Sequence, residues 1–432
     1  MSDHLHCHNN GNKNYLNFRL KDLFNVVGWL SLLMVFSNTS ALTLSEAENI
    51  ALDNDPLMES HKAVARAWNN DAVANNQLPD PKLRFGMYNM PLDTFDKTQE
   101  PSTQLRLGVQ QSFPKGDSLE LKQVQSEWRA KAEMAQAEDR QANLKRAIRE
   151  DFLNLYFQIE ALRIIQRSRK LFSQLVDITE AHYASGRVNQ QDVLRADLEL
   201  SRLDDRAIKI QTEEEMLRSK LSQWLGEAAW QPIDINFPVL PALTDDDPNK
   251  LITKHPTIVI ETAKLEASKQ AVAIAKQQYK PGWGVGLEYR KRFGENMDGT
   301  ERTDMMAAMV TLDIPLFTEN RQDKRVVANE EKMLAVRLMR DNKLRSLKQS
   351  YDSSMAKLRG LDKRHLQYKN NLIKSAEGNA KAAIKAYQSG VTQFTNLMRA
   401  HITELDIRLS DLRVRVDRSL AMAQLLYVTG EE

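Results

Sequence analysis

Residues 183–200 read YASGRVNQQDVLRADLEL, and residues 387–405 read YQSGVTQFTNLMRAHITEL. At an offset of 204, Tyr183 falls on Tyr387, Ser185 on Ser389, Gly186 on Gly390 and Ala196 on Ala400. In both stretches a glycine closes a helical pattern, and a second helical pattern starts a few residues later. Each stretch therefore reads as a tight turn between two antiparallel helices, the returning ones spanning roughly Gln190–Leu225 and Gln393–Tyr427.

Upstream of the first turn, no Pro or Gly interrupts the chain from Ser118 to about Ala184. Leu144, Ile148, Phe152, Leu155, Ile159 and Leu162 recur at steps of three and four, the seam of a coiled-coil-like helix. The second half repeats the seam from Glu319 to about Ser389, again without Pro, with Leu344, Leu347, Tyr351, Met355, Leu358 and Leu361. The other faces are charged. A helix over the first span would run about 100 Å, longer than a globular domain needs, so a rod or the wall of a tube is expected.

Further upstream the repeat continues at an offset of 200. Pro56 falls on Pro256, Ala63 on Ala263, Ala67 on Ala267, Gln77 on Gln277 and Pro81 on Pro281. Phe113 falls on Phe317 at the later offset of 204, so the length difference is placed between two short strands in each half. Helices are expected to start near Leu44 and at Pro56, the second reaching about Gln77. The strands are read as Lys82–Met90 and Thr103–Phe113, then Gly282–Arg290 and Ala307–Phe317. Leu105, Leu107 and Val109 alternate with polar residues or glycine, as do Trp283, Val285 and Leu287, and Val310, Leu312 and Ile314. Period-two alternation gives one apolar and one wet face. Taken alone it suits a small soluble sheet packed on helices. The export signal and the repeat shift the reading to membrane strands, which need about 9–11 residues.

That signal occupies residues 1–41. Lys13, Arg19 and Lys21 precede the apolar run FNVVGWLSLLMVF (24–36), and small residues follow to Ala41, near which cleavage is expected. The run is short for a spanning helix. The only cysteine, Cys7, lies upstream, so the remaining chain has no disulfide, thiol nucleophile or Cys-based metal site. His4, His6 and His8 fall in the same removable segment. Residues 42–225 form the first repeat and 251–432 the second. Between them, 226–250 holds Pro232, Pro238, Pro241, Pro248 and the acidic run 245–247, a linker crossing the rod near its mid-height.

Composition narrows the classes. With 16 Gly and 13 Pro in 432 residues, a turn-rich all-β fold is disfavoured. Lys+Arg 60 against Asp+Glu 58 gives a net charge of +2, without the basic excess a nucleic-acid binder uses. No phosphate loop, HExxH or nucleophile elbow occurs. Gly282, Gly284 and Gly286 alternate on a strand and are not a dinucleotide fingerprint. His401 and Glu404 stand at i, i+3 on a helix, but two ligands make no metal site and packing explains them. No enzyme, cofactor or metal is read from the chain.

The two turn motifs, the entry LSEAENIALDNDPLM (44–58) and the strand ends QQSFPKG (110–116) and LDIPLF (312–317) together resemble the TolC family of outer-membrane efflux proteins. The resemblance spans nearly all of the chain beyond the signal. It implies a mainly α fold with a short transmembrane β section: a homotrimer whose four strands per chain make a 12-stranded β-barrel above a long α-helical barrel. Arg106, Gln110, Glu288 and Asp313 would face the barrel lumen, and Val109, Trp283, Leu287 and Leu312 the lipid. The family implies an outer-membrane location with a large periplasmic part. It also implies passive conduction from a periplasmic adaptor (membrane fusion protein) and an inner-membrane pump, an RND type being favoured. Gly186, Arg187, Gly390 and Val391 mark the adaptor-docking turns, although the glycines serve hairpin geometry equally well. Asp192, Asn396 and Arg399 are the periplasmic gate candidates. Many relatives carry acidic residues after the second turn, whereas here Asn396 and Arg399 stand there. Arg399 would attract anions near the axis or, the favoured reading, pair with an acidic neighbour across helices. The stretches 78–95 and 304–325 resemble the heavy-metal branch. Met87, Met90, Met305, Met306 and Met309 suit soft ions but equally fill apolar space. Rival readings are a protein-secretion conduit of type I and a periplasmic coiled-coil scaffold, the latter at odds with two tandem hairpins.

Overall fold

The computed structural model of the chain describes residues 41–244 and 246–431. The expected export segment with Cys7, His4, His6 and His8 lies outside them, as does Asp245 of the acidic run.

The first helix, α1 (Leu44–Asp53), opens with a reciprocal cap. Thr43 Oγ1 accepts from Glu46 N–H at 3.2 Å, and Glu46 Oε2 accepts from Thr43 N–H at 2.9 Å. Helix α2 (Pro56–Asn75) starts on proline, whose missing N–H costs nothing there. Strands β1 (Lys82–Tyr88) and β2 (Gln104–Phe113) lead into α3 (Ser118–Ala184), a single helix of 67 residues. Helix α4 (Gln190–Leu225) returns, ending in a 3-10 turn at Gly226–Trp230. The second half follows the same order: α5 (Pro248–Lys254), α6 (Pro256–Gln277), β3 (Gly282–Arg292), β4 (Met305–Asp313), the second long helix, and α9 (Phe394–Thr429).

That second long helix departs from expectation. It begins at Gln322, not Glu319, and a π-helical turn at Tyr368–Leu372 divides it into α7 (Gln322–Gln367) and α8 (Ile373–Gln388). The seam explains the turn. Leu347 and Leu361 are two heptads apart, but Leu361 and Ala376, both buried, are separated by one residue more. A π turn absorbs that residue and keeps the apolar face on its partner. The strand limits also shift. β1 stops at Tyr88 because Asn89 takes φ 55°, and β4 stops at Asp313, short of Phe317, since Pro315 has no N–H for a ladder.

The four strands form one antiparallel sheet in the order β1-β2-β3-β4, so β2 and β3 join the two halves. Lys82 lies opposite Gln110, whereas Gly282 lies opposite Asp313, which makes the second hairpin three residues longer between equivalent partners. Among the described residues, the outer edges of β1 and β4 have no neighbour.

Near the sheet the helices stand in a row, α2, α3, α6, α7; toward the turns the row is α4, α3, α9 and then α7 with α8. Helix α3 carries the core. Leu144, Ile148, Phe152 and Leu155 pack with Leu221 and Leu225 of α4 and Leu412 and Val416 of α9. Nearer the turns, Ile165, Phe172 and Leu175 meet Ala196, Phe394 and Leu397. Each such side chain contributes about 1.5–3 kcal/mol on burial. The linker crosses near the middle of α3: Tyr156 Oη donates to Ile235 O at 3.3 Å, and the Phe237 ring meets the Tyr156 ring edge-on. Residues at the ends of the row stay bare: Leu57, Val64 and Val73 on α2, Val327, Leu334 and Leu338 on α7, and Leu194, Leu198 and Ile208 on α4.

Candidate functional site: the sheet faces and the helix turns

Register assigns every strand residue to a face. Lys82 opposes Gln110, Arg106 opposes Arg290, Gly108 opposes Glu288 and Gly282 opposes Asp313. Arg106, Gln110, Glu288 and Asp313 therefore share one face of the sheet. The other face is apolar: Leu83, Phe85, Leu107, Val109, Trp283, Val285, Leu287, Val310 and Leu312 are all exposed, Phe85 at 74% and Val310 at 70%. Among the described residues no other element covers this apolar face, which water would not tolerate over such an area.

On the polar face, Glu288 is buried between two arginines. Arg290 Nε donates to Glu288 Oε1 at 2.6 Å, and Arg106 Nε lies 3.8 Å from the same oxygen. Sequence alternation in β2 pointed to Arg106; β1 was expected as a strand, but its alternation carries two further cations. Its KLRFGMY pattern puts Lys82 and Arg84 on the same polar face. The methionines divide. Met305 and Met309 take the polar face, Met87 and Met306 the apolar one, and Met90 lies beyond β1, so the structure gathers no thioether cluster.

The two turns are alike to the hydrogen bond. Gly186 N–H donates to Tyr183 O at 2.9 Å and Arg187 N–H to His182 O at 2.9 Å; Gly390 N–H donates to Tyr387 O at 3.1 Å and Val391 N–H to Ala386 O at 2.9 Å. Both are Schellman closures with glycine at φ 75° and 72°. A Cβ on either glycine would meet nothing within 4 Å, so backbone conformation alone demands glycine. Val391 is 80% exposed, and Arg187 is exposed too.

The turns are tied together. His182 Nδ1 and Tyr387 Oη lie 3.2 Å apart, and an Arg195 guanidinium N–H donates to Thr395 Oγ1 at 2.8 Å. Burial, and after it the Asp192 carboxylate, push the Tyr387 phenol up from its ordinary value; Asp192 itself is half-buried. Asn396 is exposed and donates from Nδ2 to Thr392 Oγ1 at 3.1 Å. Arg399 is exposed on α9, and among the described residues its side chain has no hydrogen bond or ion pair; the expected pairing across helices does not form within one chain. His401 is buried beside the Phe172 ring, with Glu404 3.6 Å away, a packing role.

No protein-family model matches the chain, and no curated protein sequence does. Solved structures do match in fold. A membrane protein from Pseudomonas aeruginosa superposes with a TM-score of 0.77 at 15% identity, covering 89% of this chain and 90% of that one. The outer-membrane channel OprN gives 0.76 at 16% identity, covering 90% of each. The outer membrane protein VceC from Vibrio cholerae gives 0.76 at 16% identity over 90% of this chain and 97% of that one. At such identities the likeness is one of fold, and it spans the sheet and both helical hairpins.

Proposed function

We propose that three copies of this chain close into a channel that crosses the outer membrane and the periplasm and passively conducts solutes outward. One observation carries the reading: a four-stranded sheet that is apolar and uncovered on one face, polar on the other, and unpaired at both edges. Lipid suits the apolar face but forbids open edges. Four strands cannot close a barrel, since single-chain barrels need at least about eight. Joining β4 of one copy to β1 of the next closes a ring of twelve. The same operation brings the bare apolar residues of α2 and α7, and those of α4, against a neighbour. The polar face with Arg106, Gln110, Glu288 and Asp313 then lines the pore.

The turns at Gly186 and Gly390 form the periplasmic end, where Arg187 and Val391 meet an adaptor fed by an inner-membrane pump, with an RND type favoured. Asp192, Asn396 and Arg399 surround the entry. Small toxic compounds are the cargo this reading favours, with heavy-metal ions as the alternative that a cation-passing pore would admit. Outer-membrane fractionation with an unboiled gel tests the assembly: a detergent-resistant band near three times the monomer mass is expected, and a water-soluble monomer would refute it. A deletion strain challenged with metals, dyes and antibiotics tests the cargo. Lost tolerance supports efflux, whereas unchanged tolerance with a missing secreted protein favours a protein-secretion conduit.

A further inference from the structure

Arg106 and Arg290 are direct cross-strand partners on the polar face. Like charges directly opposite destabilise a sheet, so this pair needs a reason. Glu288 offsets part of the cost, at 2.6 Å from Arg290 Nε and 3.8 Å from Arg106 Nε. One carboxylate between two guanidinium groups still leaves a positive charge. Arg106 Nε is buried without a hydrogen-bond partner among the described residues, while its guanidinium rests over the Tyr88 ring at 3.9 Å. One step along the strands, Arg84 faces Gly108, so no side chain shields it from that position. Lys82 and Arg292 share the face, and its only other acid is Asp313, at the end nearest the helices. Five cations thus oppose two carboxylates.

We propose that this face selects anions: Arg84, Arg106 and Arg290 form a basic band that concentrates and passes oxyanion-bearing solutes and holds back cations. The proposal rests on the pore reading above, because the face must be wet to select anything. Three copies set six arginines, Arg106 and Arg290 from each, at one level of the barrel, with three more from Arg84 beside them. Rings of Arg or Lys make pores anion-selective, and a low-dielectric wall strengthens their field. The guanidinium fork matches carboxylate and phosphate oxygens. Exposed Arg399 carries the same sign at the far end of the helices.

Cys7 is the chain's one cysteine, so with Cys7→Ser a single introduced thiol reports on its surroundings. Met305→Cys places one at the level of the arginine pair, since Met305 opposes Arg290. The purified assembly is treated in turn with anionic sulfonatoethyl methanethiosulfonate and cationic trimethylammonioethyl methanethiosulfonate. Each rate is divided by that of the same reagent with 2-mercaptoethanol. Taking the ratio of the two cancels any change in thiol reactivity. The expected ratio favours the anionic reagent by about tenfold or more at low salt and collapses toward unity at high salt, where charges are screened. In Arg106→Gln combined with Arg290→Gln the preference should vanish or reverse. Thr311→Cys, on the same face nearer the helices, is a second reporter. A ratio at or below unity in the otherwise unaltered chain overturns the selectivity while leaving the pore standing. If neither reagent reaches Met305→Cys or Thr311→Cys, yet Met306→Cys on the opposite face reacts, the pore reading itself falls, and the selectivity with it.

Discussion

The two halves of the molecule share lengths and turns but differ in what holds them. The first long helix runs unbroken through Ile165, Phe172 and Leu175, all buried. The second carries alanines, Ala376 and Ala380, at the corresponding depth and a π turn above them. Both turns close on the same pair of hydrogen bonds. Duplication thus preserves what fixes length and direction, whereas seam volume and helix phase have drifted apart.

Removing one residue separates the halves most sharply. Deleting Gln166 from α3 rotates everything toward the turn by about 100° and takes Phe172 and Leu175 out of the core. Each loss resembles a large-to-small core change of about 2–5 kcal/mol, so no assembled protein should survive on an unboiled gel. Deleting Asn370, its counterpart inside the π turn, restores two heptads between Leu361 and Ala376. That variant should assemble and melt close to the parent.

The sheet comes next in effect. Leu107→Arg in β2 and Leu287→Arg in β3 each place a charge on the apolar face, which the proposed channel turns to lipid, at about 2–4 kcal/mol near the bilayer midplane. Heat-resistant oligomer should drop in both. Thr311→Arg, on the polar face, should leave it unchanged; equal loss there would contradict the assignment of faces.

Gly186→Val and Gly390→Val should each cost about 1–3 kcal/mol through backbone strain alone, because neither Cβ meets a neighbour. Thermal melts should show matched losses, while the asparagine variants should lose less. If Gly390→Val abolishes export in an assembly whose melt is hardly changed, a partner touches that turn.

The smallest contrast concerns two helix caps at equivalent positions. Asp55 caps α2, accepting from Leu57 N–H at 3.2 Å, and pairs with Arg140 Nε at 2.7 Å. His255 caps α6: Nδ1 accepts from Thr257 N–H at 3.2 Å, and Nε2 donates to Tyr427 O at 2.9 Å. This arrangement requires a neutral ring, and burial, against the opposing pull of Asp139 and the Tyr427 carbonyl, pushes the imidazole below its ordinary value. An unfolded chain then binds the proton more readily, so stability is complete above the ordinary imidazole range and declines as pH falls below it. His255→Asn keeps a cap and should flatten that decline in melts between pH 7.5 and 5.5; His255→Ala should cost about 1 kcal/mol at neutral pH.

Much of this was legible beforehand. The run from Ser118 to Ala184 holds neither Pro nor Gly and is flanked by Gly116 and Gly186, both at positive φ, so both ends of α3 could be read. The turn glycines were plain for the same reason. The π turn was hidden: YKNNL contains no breaker, and the extra residue shows only once the buried positions on both sides are known. The basic band was hidden differently. Arg106 and Arg290 are far apart in sequence, and only strand pairing makes them opposite. Arg399 was expected to find an acid across helices; within one chain it is exposed on α9, and a partner from a neighbouring copy is a matter of assembly that one chain's sequence does not reveal.

The raw edges of β1 and β4 also govern inheritance. In the proposed channel a subunit cannot wait alone in the bilayer for companions, so insertion and association must be one event, with the chains escorted until they meet. A copy damaged along either edge would still be recruited and would spoil the ring it joins. Mutations there should therefore act dominantly over an intact gene, whereas defects that stop a copy from folding at all should be recessive.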